Sequence, residues 1–160
     1  MIIRIYTDGS CLKNPGEGGW AFVINFKDEV KEYCGGKSIS TNNEMELTAF
    51  LKALLEVERL LKSKRITHKD VIEIYSDSAY VVNAINNNWV ETWKENGWRT
   101  KKNEEIKNKK LWMKTYVIMK SLTKNIDIVV KKVRGHSGNT FNDLVDRLAR
   151  SQAEKYKSKR

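Results

Sequence analysis

The spacing of apolar residues changes period along this chain, and the order of those changes restricts the fold more than any other feature. Ile3 and Ile5 alternate with Arg4 and Tyr6, the two-residue period of a strand, which runs into Thr7 and Asp8. Residues 9–19, with Asn14-Pro15-Gly16 among them, read as a loop that turns the chain back. Residues 20–26 and 30–38 read as two further strands of an antiparallel meander. The period then lengthens. Ser40-Thr41-Asn42-Asn43 offers caps for a helix from about residue 44 to 62, with a core stripe of Leu47, Leu51, Leu54 and Leu55 continued by Leu61. A short strand over residues 71–75 ends at Ser76-Asp77-Ser78, and a helix follows through residues 80–85. Beyond a polar, basic tract at 89–110 come a helix near 111–122, a strand at 126–133, and a last helix with apolar Phe141, Leu144, Val145 and Leu148. Three strands followed by alternating helix and strand predict an α/β layer: a mixed sheet with helices against its faces. Strand order does not follow from periodicity.

One proline, no long Gly/Ser run and no internal repeat leave no linker in 160 residues, so the chain is read as a single domain, 1–160. The 30 Lys and Arg against 20 Asp and Glu give a net charge of +10, which favours a polyanionic partner over a merely lysine-rich surface. Charge alone leaves nucleic acid, an acidic membrane surface and another acidic molecule open. The N-terminus is apolar for only a few residues before Asp8, and no stretch reaches membrane-spanning length. Cys11 and Cys34 are too few for a disulfide framework and lack metal-site spacing. The expected location is the cytoplasm, with no membrane contact.

Four acids stand out by their settings. Asp8 sits where the first strand meets a glycine, and Asp77 at the carboxyl end of another strand, where ligands of open α/β sheets tend to bind. Glu46 is in the first turn of the long helix, and Asp146 lies just outside the apolar stripe of the last one. Each also has an ordinary explanation: turn chemistry for Asp8 and Asp77, helix-dipole pairing for Glu46, an ion pair with Arg150 for Asp146. Periodicity cannot show that the four converge. If they do, an all-carboxylate set with no Cys or His ligands suits hard cations such as Mg²⁺ or Mn²⁺, and in a basic protein that combination points to phosphodiester chemistry.

Read in order, the motifs resemble ribonuclease H of type 1. Thr7-Asp8-Gly9-Ser10-Cys11-Leu12-Lys13-Asn14-Pro15-Gly16 followed by Gly18-Gly19-Trp20 is similar to the family's opening strand and loop. Thr41-Asn42-Asn43-Glu44-Met45-Glu46-Leu47, then Tyr75-Ser76-Asp77-Ser78, then Gly135-His136-Ser137-Gly138 with Asn142 and Asp146, match its later signatures in family order over nearly the whole chain. The resemblance implies a ribonuclease H-like fold, a five-stranded mixed sheet flanked by helices. It also implies hydrolysis of the RNA strand of RNA–DNA hybrids at a site where Asp8, Glu46, Asp77 and Asp146 hold two Mg²⁺ ions, with Mn²⁺ a possible substitute, giving 5′-phosphate and 3′-hydroxyl ends. His136 would move protons or aid product release, whereas His68 matches no motif and reads as surface.

By the same resemblance, Cys11, Asn14, Asn42 and Asn43 touch the minor groove of the hybrid, where the 2′-hydroxyl separates RNA from DNA. The tract at about 89–110 looks like the family's basic helical protrusion. It carries three of the five tryptophans, with a fourth, Trp112, just beyond it. Trp89, Trp93, Lys94, Trp98, Arg99, Lys101 and Lys102 are its candidate substrate contacts, the tryptophans mainly structural and the cations on DNA phosphates. Two positions depart from the pattern: Ala79, where relatives often carry glutamine, and Asn139, where some have a second loop histidine. Met1 opens directly on the first strand, which favours a free-standing enzyme over a fragment of a reverse transcriptase, and a monomer is the default expectation. A non-catalytic nucleic-acid-binding module on the same fold is the alternative, and unneutralised carboxylates repelling phosphate count against it.

Overall fold

The structure, a computed structural model, describes residues 1–133 and 140–158. The elements follow the order β1 (Ile2–Cys11), β2 (Gly16–Phe26), β3 (Glu29–Ser40), α1 (Asn42–Lys62), β4 (Val71–Ser76), α2 (Ala79–Asn86), α3 (Trp89–Glu95), α4 (Lys109–Thr123), β5 (Asp127–Lys132) and α5 (Thr140–Ser158). The strands form one sheet in the order β3-β2-β1-β4-β5. Its first three strands are antiparallel neighbours, while β4 runs parallel to both β1 and β5. This is the expected mixed five-stranded sheet.

Alternation along β1 assigns its two faces. Ile3 and Ile5 are fully buried on the larger core with Ile72 and Ile74 of β4 and Leu47, Phe50, Leu54 and Val57 of α1. Tyr6 points the other way, into a smaller core with Ala21, Val23, Val145 and Ala149, where α5 lies on the sheet. Leu55, placed in the core stripe by sequence, is 43% exposed. One residue is a turn of about 100° around a helix, so with Leu54 facing the sheet its neighbour is carried to the flank. The stripe runs on through buried Leu60, with Leu61 only partly covered.

The predicted loop at residues 9–19 is much shorter. Gly9 to Cys11 belong to β1 and Gly16 to Gly19 to β2, leaving residues 12–15 as the connection, with a cis peptide before Pro15. The glycines were read as turn residues, but they serve close approach. A Cβ on Gly9 would lie 2.3 Å from the backbone of α1, and one on Gly19 1.9 Å from the Ala149 carbonyl oxygen of α5. Both helices therefore rest directly on strand backbone at these points.

The basic tract contains α3 and a tight return held by backbone bonds from Thr100 to Glu104 and from Ile106 to Trp98. Trp112 is fully buried, Trp93 packs edge-on against it at 5.5 Å, and Trp98 packs against Tyr116 at 6.0 Å. Trp89 is 44% exposed, so of the tryptophans proposed to meet substrate it alone presents much ring to solvent.

Gly19→Ala should be destabilising, because the added methyl meets helix backbone that cannot rotate away. Overpacking of this kind costs about 1–3 kcal/mol, which for a chain of this size lowers Tm by roughly 2–12 °C. Thermal unfolding followed by circular dichroism tests this, and an unchanged Tm would mean that α5 is not seated on β2 at this distance.

Candidate active site

Parallel pairing brings the first two carboxylates together. The register sets Thr7 opposite Ser76, so the next residues are Asp8 of β1 and Asp77, which directly follows β4. Glu46 arrives from above. Because Gly9 has no side chain, the first turn of α1 closes on β1, and the Gly9 N–H donates both to Asp8 Oδ1 at 2.9 Å and to Glu46 Oε1. Carboxylate oxygens of Asp8, Glu46 and Asp77 lie within 4.8 Å of one another, and the first two residues are buried. Asp146, on α5, acts electrostatically on Asp8 without joining that tight trio. Its other oxygen contact is the Arg150 guanidinium at 3.3 Å, so the ion pair expected from sequence coexists with a place beside the cluster.

Burial is the largest cause of the electrostatic strain. It pushes Asp8 up to about 8, opposed by a hydrogen bond from Glu46 and reinforced by Asp77 and Asp146. Glu46 is raised well above the ordinary carboxylate range, again by burial first, then by the charges of Asp8 and Asp77. Crowded, desolvated carboxylates resist ionisation unless a cation stands among them. Three converging hard oxygen donors with no thiol or imidazole among them are the donor set of a Mg²⁺ or Mn²⁺ site. The residues therefore fit the cation that the sequence implies.

Beside this cluster the Cys11 N–H donates to Asn42 Oδ1 at 2.9 Å, and the Asn42 N–H donates to Asn14 Oδ1 at 3.1 Å. Three of the four residues expected at the minor groove are thus one bonded unit joining the end of β1, the 12–15 connection and the start of α1, with Asn43 exposed next to it. Capping of α1 falls to Thr41, whose hydroxyl accepts from Glu44 N–H at 3.1 Å. Lys94, Arg99, Lys101 and Lys102 form a separate exposed group on and after α3. Arg99 is oriented by a bond to the Asn103 carbonyl at 2.8 Å, and the Lys94 ammonium sits 5.1 Å from the centre of the Tyr116 ring. His68 is exposed, as expected. His136 and Asn139 lie outside the described residues, with Gly135, Ser137 and Gly138. Ala79 is exposed at the first position of α2. Sequence reasoning missed Gly9 as the donor shared by two carboxylates. It also missed Tyr80, whose hydroxyl joins α2 to α4. A glycine directly after a candidate ligand was the only signal for the first, and none existed for the second. No helix among the described residues is long and apolar enough to cross a membrane.

The site so far is a carboxylate trio on a five-stranded mixed sheet, with Asp8 and Asp77 at the ends of two parallel strands and Glu46 from α1, and comparison with known proteins identifies its family. The RNase H family profile matches residues 2–154. The chain is 40% identical over 157 residues to a ribonuclease H of Acetivibrio thermocellus, covering 98% of each chain. It is 42% identical over 149 residues to one of Syntrophomonas wolfei, covering 93% of this chain and 94% of that one. Among solved structures it is similar to LC9-RNase H1, described as a type 1 RNase H with the type 2 active-site motif, at TM-score 0.76 and 24% identity, covering 97% of this chain and 73% of that one. It is also similar to LC11-RNase H1 in complex with an RNA/DNA hybrid, at TM-score 0.71 and 22% identity, covering 96% and 97% of the two chains. The chain belongs to the RNase H family.

The raised carboxyl of Asp8 has a measurable consequence. Its proton is held more tightly in the folded chain than in the unfolded one, so in chelator the folded state loses stability as pH rises from about 4, the ordinary value, to about 8. Asp8→Asn removes that loss, and its Tm advantage over the wild type should grow from pH 5 to pH 8. A Tm difference independent of pH across that window would show that Asp8 titrates normally.

Proposed function

We propose that this chain is a metal-dependent endoribonuclease that hydrolyses the RNA strand of RNA–DNA hybrids and leaves 5′-phosphate and 3′-hydroxyl ends. The observation that carries this reading is the trio of Asp8, Glu46 and Asp77, with Asp146 beside it, in a family member of net charge +10. A polyanion is drawn to the basic surface, yet the acidic cluster would repel it unless cations are bound there. That couples substrate binding to metal binding and counts against a purely non-catalytic binding module. Asp8, Glu46, Asp77 and Asp146 would hold two Mg²⁺ ions, Mn²⁺ being a possible substitute. When bound, such ions neutralise charge on the scissile phosphate and make a water more acidic.

The chain's own groups orient everything else. The Gly9 N–H keeps one oxygen each of Asp8 and Glu46 turned inward. The unit of Cys11, Asn14 and Asn42, with Asn43, would read the minor groove and its 2′-hydroxyls. Lys94, Arg99, Lys101 and Lys102 would hold the DNA strand by its phosphates, with exposed Trp89 against the backbone and Trp93 and Trp98 supporting from beneath. His136 would exchange protons at the reacting phosphate or assist release. We take residues 1–160 as one catalytic domain with its basic protrusion at about 89–110, acting as a monomer in the cytoplasm.

A labelled hybrid, with duplex DNA and duplex RNA as controls, tests the activity directly. Cleavage of the RNA strand in Mg²⁺ but not in chelator is expected, and Asp8→Asn or Asp77→Asn should abolish it while hybrid binding persists. In the same assay His136→Ala should lower kcat by about 10²–10⁴-fold with KM little changed. Near-wild-type cleavage by either carboxylate variant would remove the metal-site assignment.

The basic group gives a second test. Replacing Lys94, Arg99, Lys101 and Lys102 together with Ala should raise KM far more than it lowers kcat, and should flatten the dependence of binding on salt because fewer counterions are released. A collapse of kcat at constant KM and salt slope would assign the segment another role.

A further inference from the structure

Between the carboxylate cluster and the basic loop stands one side chain to which neither site lays claim. Tyr80 is the second residue of α2, two residues after Ser78, whose hydroxyl caps that helix by accepting from Val81 N–H at 3.2 Å. The Tyr80 hydroxyl oxygen accepts two hydrogen bonds, from Trp112 Nε1 at 2.7 Å and from Asn108 Nδ2 at 3.2 Å. Its ring also packs 5.6 Å from that of Trp112, which in turn carries Trp93 of α3. An indole N–H can only donate, and Trp112 is fully buried, so this oxygen is the acceptor its nitrogen requires.

The second donor marks a hinge. Asn108 precedes α4 in the left-handed conformation, φ 59°, and makes no side-chain cap bond to its own helix, since its amide goes to Tyr80. Asn88, at φ 57°, holds the matching position ahead of α3. The segment that bears Lys94, Arg99, Lys101 and Lys102 thus leaves and re-enters the fold through two left-handed asparagines, and the re-entry is tied by one oxygen to a helix that begins two residues after Asp77.

We infer that Tyr80 is a positioning residue that sets the distance between the phosphate-binding loop and the cleavage site, and so decides where the RNA strand is cut relative to the bound DNA phosphates. The inference rests on the proposed hybrid-cleaving activity. A hybrid held at both places is a rigid ruler. If the latch is released, the loop still carries its charges and the cluster its ligands, but the two no longer match one register of the duplex.

The test is Tyr80→Phe, which keeps the ring and removes the oxygen, assayed well below its Tm in Mg²⁺ on a hybrid labelled at one end of the RNA. KM should rise about 3–10-fold, the weight of one or two hydrogen bonds, with kcat within about twofold. Cuts confined to preferred positions in the wild type should spread over neighbouring ones. In a background of Lys101→Ala with Lys102→Ala, adding Tyr80→Phe should change KM little, because the loop has lost what Tyr80 positions. Asn108→Gly keeps the left-handed backbone, spares the Trp112 bond, and should give the same effects in weaker form, so the idea remains testable if the phenylalanine variant folds poorly. Wild-type KM and wild-type cut positions in both variants would overturn it, as would a KM effect that simply adds to that of the lysine pair. Failure of the wild type to cut any hybrid would instead overturn the functional reading on which it stands.

Discussion

The parallel pairing of β1 with β4 is the constraint on which the other features depend. Ile3 and Ile5 of β1 and Ile72 and Ile74 of β4 are completely buried on one face of the pair. Burying each contributes about 1.5–3 kcal/mol, and a slip of one residue would turn the whole set toward the opposite face. The register is therefore held by hydrophobic packing remote from the chemistry. A consequence of the same register is that Thr7 lies opposite Ser76, which puts Asp8 beside Asp77. The apolar core positions the acids, and the acids contribute nothing to holding themselves together.

They act against it. Asp8 and Glu46 are desolvated and face each other, and both are driven upward in pKa for that reason. The fold accepts this cost in a place where it is confined. The Gly9 N–H offers one donor to two carboxylates, and Arg150 offsets part of the charge of Asp146 from the next turn of α5. What remains is a set of crowded carboxyl groups whose ionised form a divalent cation would stabilise, so binding there and stability of the fold are linked.

Much of this architecture was legible in the residues, and the failures have physical causes. The alternation Ile3, Ile5 and the stripe Leu47, Leu51, Leu54 report burial on one face, and burial is what periodicity measures. Leu55 was misplaced because adjacent leucines carry the same hydrophobicity while only one can face the sheet. Residues 9–19 were taken for a loop because glycine signals turns and close approach alike, and only the tertiary neighbours of Gly9 and Gly19 separate the two. Convergence of Asp8, Glu46, Asp77 and Asp146 was invisible to period and spacing. It came from the resemblance of four ordered motifs, and the geometry brings the first three together with Asp146 alongside. The Tyr80 hub had no sequence signal, because which acceptor a buried indole finds is decided by how two helices meet.

The separation of charge explains why so basic a chain keeps its acids where it does. Among the described residues one cation, Arg150, pairs with the carboxylate cluster, on Asp146 and half out in solvent, while Lys94, Arg99, Lys101 and Lys102 project from α3 and the segment after it. Were those cations beside Asp8 and Glu46, they would form ion pairs with them, lower the carboxyl pKa values and compete with any divalent ion. Carried on a separate segment, they can attract phosphate without ion-pairing with the acidic cluster. Two sites of opposite sign can then act on one polyanion only if the link between them is rigid. The tryptophans supply that rigidity: Trp112 is buried at the root of the segment, Trp93 leans on it, and Trp98 braces the return against Tyr116. Aromatic residues in a basic tract are readily taken for surfaces on which bases stack. Here all but Trp89 are turned inward, and they serve as the frame that keeps the positive arm from folding back onto the negative site.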